Sequence, residues 1–311
     1  MDGALRPRWG RVTKMLVVAC GLFLLAGCGG SESPAEEVGI DEQLGMDEEG
    51  LLVRQKQAEN LIRDCMKTQG FDYVPVDPVA QRAALVGVSG MSSEDFEKQF
   101  GYGITTLYEQ RLSQTGAGPN KDLRDRLGEA DRAAYDRGLY GDDPTATFDV
   151  ALDSGDFTRL GGCTRTAAEE VFGGTAVLQT LQTKLDELDE KIFADARMVK
   201  AIAQWSQCMR EAGYPGLSEP DELDAVLEQK LEDIVGPPEE RKTPAPGQEP
   251  DFDRAALAAL QREEVTMVAA DIDCEKKHLA EVEEDVAVEY EREFREENAD
   301  ILVKVPSAPP S

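Results

Sequence analysis

The phrase CMKTQGF at residues 65–71 returns as CMREAGY at 208–214. Aligned on their cysteines, the two copies put Ile62 with Trp205, Ala58 with Ala201, Gly70 on Gly213 and Phe71 on Tyr214. In both, the cysteine lies about one and a half helical turns before the glycine. Such a glycine can take the left-handed conformation that closes a helix, and the aromatic after it can fold back on the helix it leaves. Two helix ends are therefore predicted, each carrying a cysteine where a cross-link would hold it.

Which cysteines are available depends on the N-terminus. Arg6, Arg8, Arg11 and Lys14 precede an apolar run from Met15 to Gly27, the layout of a secretory signal. The run is too short to remain as a membrane span, which needs about 20 residues. It ends in Leu25-Ala26-Gly27-Cys28, which resembles the lipobox of bacterial lipoproteins, where cleavage precedes a cysteine that becomes diacylglyceryl-modified. The resemblance implies that residues 1–27, with Cys20, are removed and that Cys28 is lipidated. The membrane is then a partner through two acyl chains, each buried methylene contributing about 0.8 kcal/mol. The expected location is the outer face of the cytoplasmic membrane.

Cys65, Cys163, Cys208 and Cys274 remain. An even number in an oxidising compartment makes disulfides the expected state. Three pairings are possible. The favoured one joins Cys65 to Cys163 and Cys208 to Cys274, because each phrase is then followed by a later helix with a cysteine of its own. The chain reads as two unequal copies of one unit: a helix ending in the phrase, an insert, and a helix tied back to it.

Residues 28–50 comprise the lipidated cysteine and a stretch with eight carboxylates and no basic residue, expected to be a disordered tether of at most about 75 Å. The first helical unit is placed at 51–174. It has a helix from Leu51, an extended stretch around Pro75 and Pro78, a short helix after Ser92 and a second clear helix from Asp122 to Tyr140. The second unit, 175–302, opens with apolar positions Leu178, Leu181, Leu185, Leu188, Ile192, Val199 and Ile202, spaced by threes and fours and broken only at Asp195. After a helix at 221–235 comes a proline-rich connector, 236–251, and one long helix from Phe252 to Asn298. Residues 303–311 are expected to be a loose tail. No stretch alternates with period two for long, so the fold class is mainly α with few or no strands.

This two-copy pattern resembles a group of secreted lipoproteins of high-GC Gram-positive (actinobacterial) bacteria. Besides the lipobox, the residues that carry the resemblance are FDYVP at 71–75, GYGITT at 101–106, AAYDRGLYG at 133–141, GGC at 161–163 and the second CM phrase with its long C-terminal helix. The resemblance implies no activity.

The chain has 33 basic and 62 acidic residues, net −29. That balance disfavours nucleic acid as a partner, since phosphate binding needs concentrated basic surface. A catalytic triad would have to use His278, the single histidine, which sits among Glu281, Glu283, Glu284 and Asp285 on a solvated helix face. Cys274 and His278 have the spacing of two metal ligands on one face, but a disulfide at Cys274 would consume one of them. Asp149, Asp153 and Asp156 lack the alternation and terminal glutamate of a calcium loop. No cofactor, metal site or catalytic group is expected. The favoured function is non-catalytic binding or an adaptor role toward an envelope protein or wall polymer. The alternatives are a transport-associated solute binder and, further off, a cell-wall-acting enzyme with a carboxylate pair.

Overall fold

A computed structural model describes residues 39–87, 91–114, 118–147, 151, 156–237 and 251–306, and among them every regular element is helical. In chain order they are α1 (Ile40–Leu44), α2 (Glu48–Thr68), α3 (Pro78–Val86), α4 (Ser93–Phe100), α5 (Tyr108–Gln114), α6 (Pro119–Asp125) and α7 (Glu129–Tyr140). Then follow α8 (Gly162–Phe172), α9 (Thr175–Ala194), α10 (Ala196–Glu211), α11 (Glu222–Val235), α12 (Arg254–His278), α13 (Ala280–Glu297) and α14 (Ala299–Leu302). The fold is mainly α, as the apolar spacing requires.

Short polar side chains set where several helices begin, by accepting hydrogen bonds from first-turn N–H groups. Asp77 caps α3, Ser92 caps α4, Asp195 caps α10 and Asp253 caps α12. The Asp195 cap divides the expected helix beyond Thr175 into α9 and α10, with Arg197 N–H donating to Asp195 Oδ1 at 2.8 Å. Gly128 likewise separates α6 from α7 where one helix was expected. The long C-terminal helix is interrupted at Leu279 alone. Leu279 N–H still donates to Glu275 O, and Glu283 N–H to Leu279 O, so the rod continues across the break.

The two phrases end α2 and α10 in the same way. Gly70 and Gly213 have φ of 86° and 101°. Phe71 N–H reaches back to Met66 O (3.1 Å) and Tyr214 N–H to Met209 O (2.9 Å), with Gly70 and Gly213 bonded to Lys67 O and Arg210 O. This is the paired closure of a Schellman motif. The matched positions share their burial: Ala58, Ile62 and Met66 in one helix, Ala201, Trp205 and Met209 in the other.

Each of these helices lies antiparallel to the helix that bears its cysteine partner. Cys65–Cys163 joins α2 to α8 with Cα atoms 5.6 Å apart. Cys208–Cys274 joins α10 to α12 at 5.8 Å. Helix α7 packs against α8 so closely that a Cβ on Gly162 would meet Gly138 O at 2.4 Å, and one on Gly161 would meet Tyr140 O at 2.5 Å. The GGC and AAYDRGLYG stretches are thus the two sides of one backbone contact. The halves interlock: α9 packs on α8 and α13, and α4 from the first half packs on α12 from the second.

Two boundaries differ from the sequence reading. The expected tether does not extend to residue 50. Ile40, Leu44 and Met46 are buried in the core, and these three apolar anchors bind the stretch despite its charge. Part of the expected tail is also held, since Lys304 O lies against Gly173 and Pro306 O accepts from Arg54. Residues 28–38 and 307–311 lie outside the described residues.

Candidate partner-binding groove

The buried ionisable groups come first, because they are where chemistry would be sought. Glu264 and Asp271 lie two turns apart on the buried face of α12, and both are fully buried. Glu264 Oε1 accepts from Ile104 N–H at 2.8 Å. Its Oε2 accepts from Thr105 N–H (2.8 Å), Thr105 Oγ1 (2.5 Å) and Thr106 N–H (3.0 Å). The GYGITT loop is therefore wrapped around one carboxylate. At Gly101 the approach is so close that a Cβ would sit 2.8 Å from Glu264 Cγ. Asp271 accepts from Trp205 Nε1 at 2.8 Å and from the Tyr102 hydroxyl.

Arg54 is the third buried charge. It donates to the carbonyls of Leu44 (2.6 Å), Gly45 (3.0 Å), Val171 (2.7 Å) and Pro306 (2.7 Å), and lies 5.2 Å from the centre of the Phe172 ring. Leu44 and Val171 stand in the last turns of α1 and α8, where helix dipoles concentrate negative potential. Burial lowers its pKa. All three groups are engaged in joining segments far apart in sequence, and the GYGITT loop serves the same end.

The FDYVP stretch is also structural. Phe71 packs edge-on to Tyr135 with centroids 5.5 Å apart. The Tyr73 hydroxyl and Val76 N–H both donate to Glu59 Oε2, at 3.0 and 2.8 Å.

Among the sequence candidates, Cys28 lies outside the described residues, as do Asp149 and Asp153. Cys65, Cys163, Cys208 and Cys274 are all in disulfides. His278 is in the last turn of α12, half-buried, beside a Cys274 that is already bonded. Asp156 accepts from Thr158 N–H and Oγ1, a turn-forming arrangement.

A groove of about 400 Å³ remains, open along one side. It runs between α10 and the 217–221 segment that leads into α11. Ser206 Oγ donates to Leu217 O at 2.5 Å and fixes the two walls together. Phe193, Val199, Ile202 and Ala203 supply apolar lining, and Arg210, Glu219 and Asp221 supply charged lining. Behind Asp221, Glu283 of α13 is pushed up to about 7, first by burial and then by the charge of Asp221. The charged lining of the groove is thus two carboxylates, Glu219 and Asp221, and the Arg210 guanidinium.

Two of these apolar residues, Val199 and Ile202, belong to the apolar stripe read in the sequence. Leu178, Leu181, Leu185, Leu188 and Ile192 are buried in α9. Beyond the Asp195 break the buried face becomes Met198, Ala201, Trp205 and Met209, and Val199 is left 56% exposed. Past the interruption at Asp195 a different face of α10 is buried, and the last two members of the stripe, Val199 and Ile202, line the groove.

Comparison of the chain with family models, with curated proteins and with solved structures finds no match.

Proposed function

We propose that this chain is an extracytoplasmic protein, moored through Cys28 to the outer face of the cytoplasmic membrane, that binds an envelope partner without chemistry of its own. The observation that carries this reading is the pair of disulfides, Cys65–Cys163 and Cys208–Cys274. Bonds of that kind persist where the surroundings are oxidising, which is where a lipobox at Cys28 would deliver the chain. The stapled helices supply a stiff body, and the groove supplies a surface on it.

The test has two arms. Cys28→Ala should move the protein from the membrane fraction into the medium, and unchanged retention would overturn the anchor. Crosslinking on intact cells should capture a reproducible envelope neighbour, and its absence would overturn the binding role. The volume of the groove also lies in the range of small-molecule sites, about 300–1,000 Å³, which keeps a solute-binding role as the second reading. A saturable thermal shift with a small solute, without a crosslinked neighbour, would favour that alternative.

A further inference from the structure

We propose that the Cys65–Cys163 staple is a redox switch: a protein dithiol reduces it by attack at Cys65, freeing the end of α2 from α8, while Cys208–Cys274 stays closed. The inference goes beyond the binding role above and does not depend on the groove.

The repeated phrase makes the two staples nearly matched. Each presents a half-buried cysteine in the last turn of its helix, Cys65 in α2 and Cys208 in α10. Each pairs it with a buried sulfur, 0% exposed at Cys163 and 2% at Cys274. An incoming thiolate therefore meets Cys65 or Cys208, and the buried partner is the leaving group. Loop length separates the two little, since 98 against 66 residues changes the closure equilibrium only about twofold.

What separates them is the leaving sulfur. Cys163 is the second residue of α8, where the helix dipole favours a thiolate. Cys274 lies twenty residues beyond the start of α12, whose hydrogen bonding runs on into α13, so no helix start stands beside it. Position 69 adds to the contrast. Gln69 Nε2 donates to Cys163 Sγ at 3.0 Å, and lies 3.4 Å from Gly138 O and 3.7 Å from Cys65 Sγ. The aligned residue of the second phrase is Ala212, which has no side-chain donor. Gly138 of α7 makes room for the amide, since a Cβ there would stand 2.6 Å from Gln69 Oε1. A donor already aimed at the leaving sulfur stabilises the charge that develops on it, and a more stable thiolate leaves faster.

The exchange balances in two steps. One thiolate of the dithiol bonds to Cys65 Sγ as the Cys65–Cys163 bond breaks, and the bonding pair leaves on Cys163, which takes up a proton. The second thiolate then bonds to the first and releases Cys65, which is protonated in turn. Two electrons pass to the protein, leaving two thiols on it and one disulfide on the reductant. The helix pair stays joined at its other end, where Arg54 of α2 donates to Val171 O of α8. Opening the staple therefore loosens the 65–76 end first.

The test uses the full mature chain carrying Cys28→Ala, with both disulfides formed, and reduced thioredoxin as the dithiol. Thiols are blocked at intervals and located by peptide mass spectrometry. Cys65–Cys163 should open at least about tenfold faster than Cys208–Cys274. A thioredoxin whose second cysteine is replaced by serine should be caught on Cys65. Gln69→Glu removes the donor and should slow the first staple about tenfold with the second unchanged, and Gly138→Ala, which displaces the amide, should slow it in the same sense. A variant that merely loosened the helix end would speed reduction, so the sign separates the two roles. With only the first staple reduced and oxygen excluded, amides at 65–76 should exchange within minutes while α10 and α12 stay protected. Equal rates for the two staples, capture on Cys163, or an unchanged or faster rate in Gln69→Glu overturns the assignment. Unaltered exchange at 65–76, or protection lost equally in α10 and α12, overturns the switch.

Discussion

Replacing Glu264 by glutamine keeps the shape of the side chain and changes only what its two terminal atoms can accept. In the native protein they take three backbone N–H groups and one hydroxyl from residues 104–106. The better orientation of the amide keeps its oxygen where Oε2 was, retaining Thr105 and Thr106. Its NH2 then faces Ile104 N–H, donor against donor. Leaving that part-buried N–H without an acceptor costs about 1–3 kcal/mol, and turning three charge-assisted hydrogen bonds into neutral ones costs about 1 kcal/mol each. Removing a buried charge offsets part of this, so the net loss should be about 3–5 kcal/mol. Against a total of about 5–15 kcal/mol this is large enough to measure without ambiguity. Trp205 is the only tryptophan after residue 27, and it hydrogen-bonds Asp271 on the same helix. Urea unfolding followed by its fluorescence, with disulfides intact, reads the stability directly. Hydrogen exchange at residues 104–106 reads the loop. A loss under about 1 kcal/mol, with exchange at those amides unaltered, would refute the reasoning, because the carboxylate could not then be what holds the loop.

The staples and Glu283 give further expectations. Serine at both Cys65 and Cys163 opens a 98-residue loop, and at both Cys208 and Cys274 a 66-residue loop. Each double substitution should cost about 4–5 kcal/mol by the loop-entropy estimate, with the first slightly larger, and a midpoint shift under about 1 kcal/mol for either pair would contradict it. Glu283, held near 7 against 4.5 unfolded, keeps its proton longer in the folded state. Its contribution is therefore fully present below about 4.5 and is lost as pH rises through about 7. Glu283→Gln should make little difference at pH 4 and should stabilise by up to about 3 kcal/mol at pH 8. Urea midpoints at the two pH values that shift equally would rule out that assignment.

The helical class was legible because apolar residues recur at threes and fours through α9 and the C-terminal rod, with no sustained alternation. Chain order favoured one of three staple pairings once the two phrases were aligned, and that pairing is the one present. What escaped was polar and distant. Glu264 and Asp271 continue the buried series Leu257, Leu260, Met267, Val268 and Cys274 along α12, so a charged residue on an apolar stripe was the available signal. Their partners are some 160 and 66 residues away, a separation that no local pattern encodes. GYGITT could not be assigned for the same reason, since its conformation is dictated by a carboxylate on α12. At the N-terminus eight carboxylates outweighed three apolar anchors in composition, yet burial of Ile40, Leu44 and Met46 decided the structure. The groove was half legible: Val199 and Ile202 were visible as apolar, but the turn of α10 at Asp195 that exposes them was not.

Arg54 also bears on where the groove would stand if Cys28 carries lipid. Its guanidinium gathers the end of α1, the end of α8 and Pro306, while Ile40 N–H donates to Glu291 of α13 at 3.1 Å. The first described segment is thus tied at both ends, and a pull from the membrane would pass into the core rather than peel α1 away. Ten residues lie between Cys28 and Gly39, a span of at most about 40 Å. Along α13, Glu283, which feels the charge of Asp221 in the groove lining, lies eight residues from Glu291 at the α1 contact, about 12 Å. The groove would then lie within roughly 50 Å of the membrane surface. That distance favours the exposed part of a membrane protein over distant wall polymer, and the crosslinked neighbour should accordingly be a membrane protein.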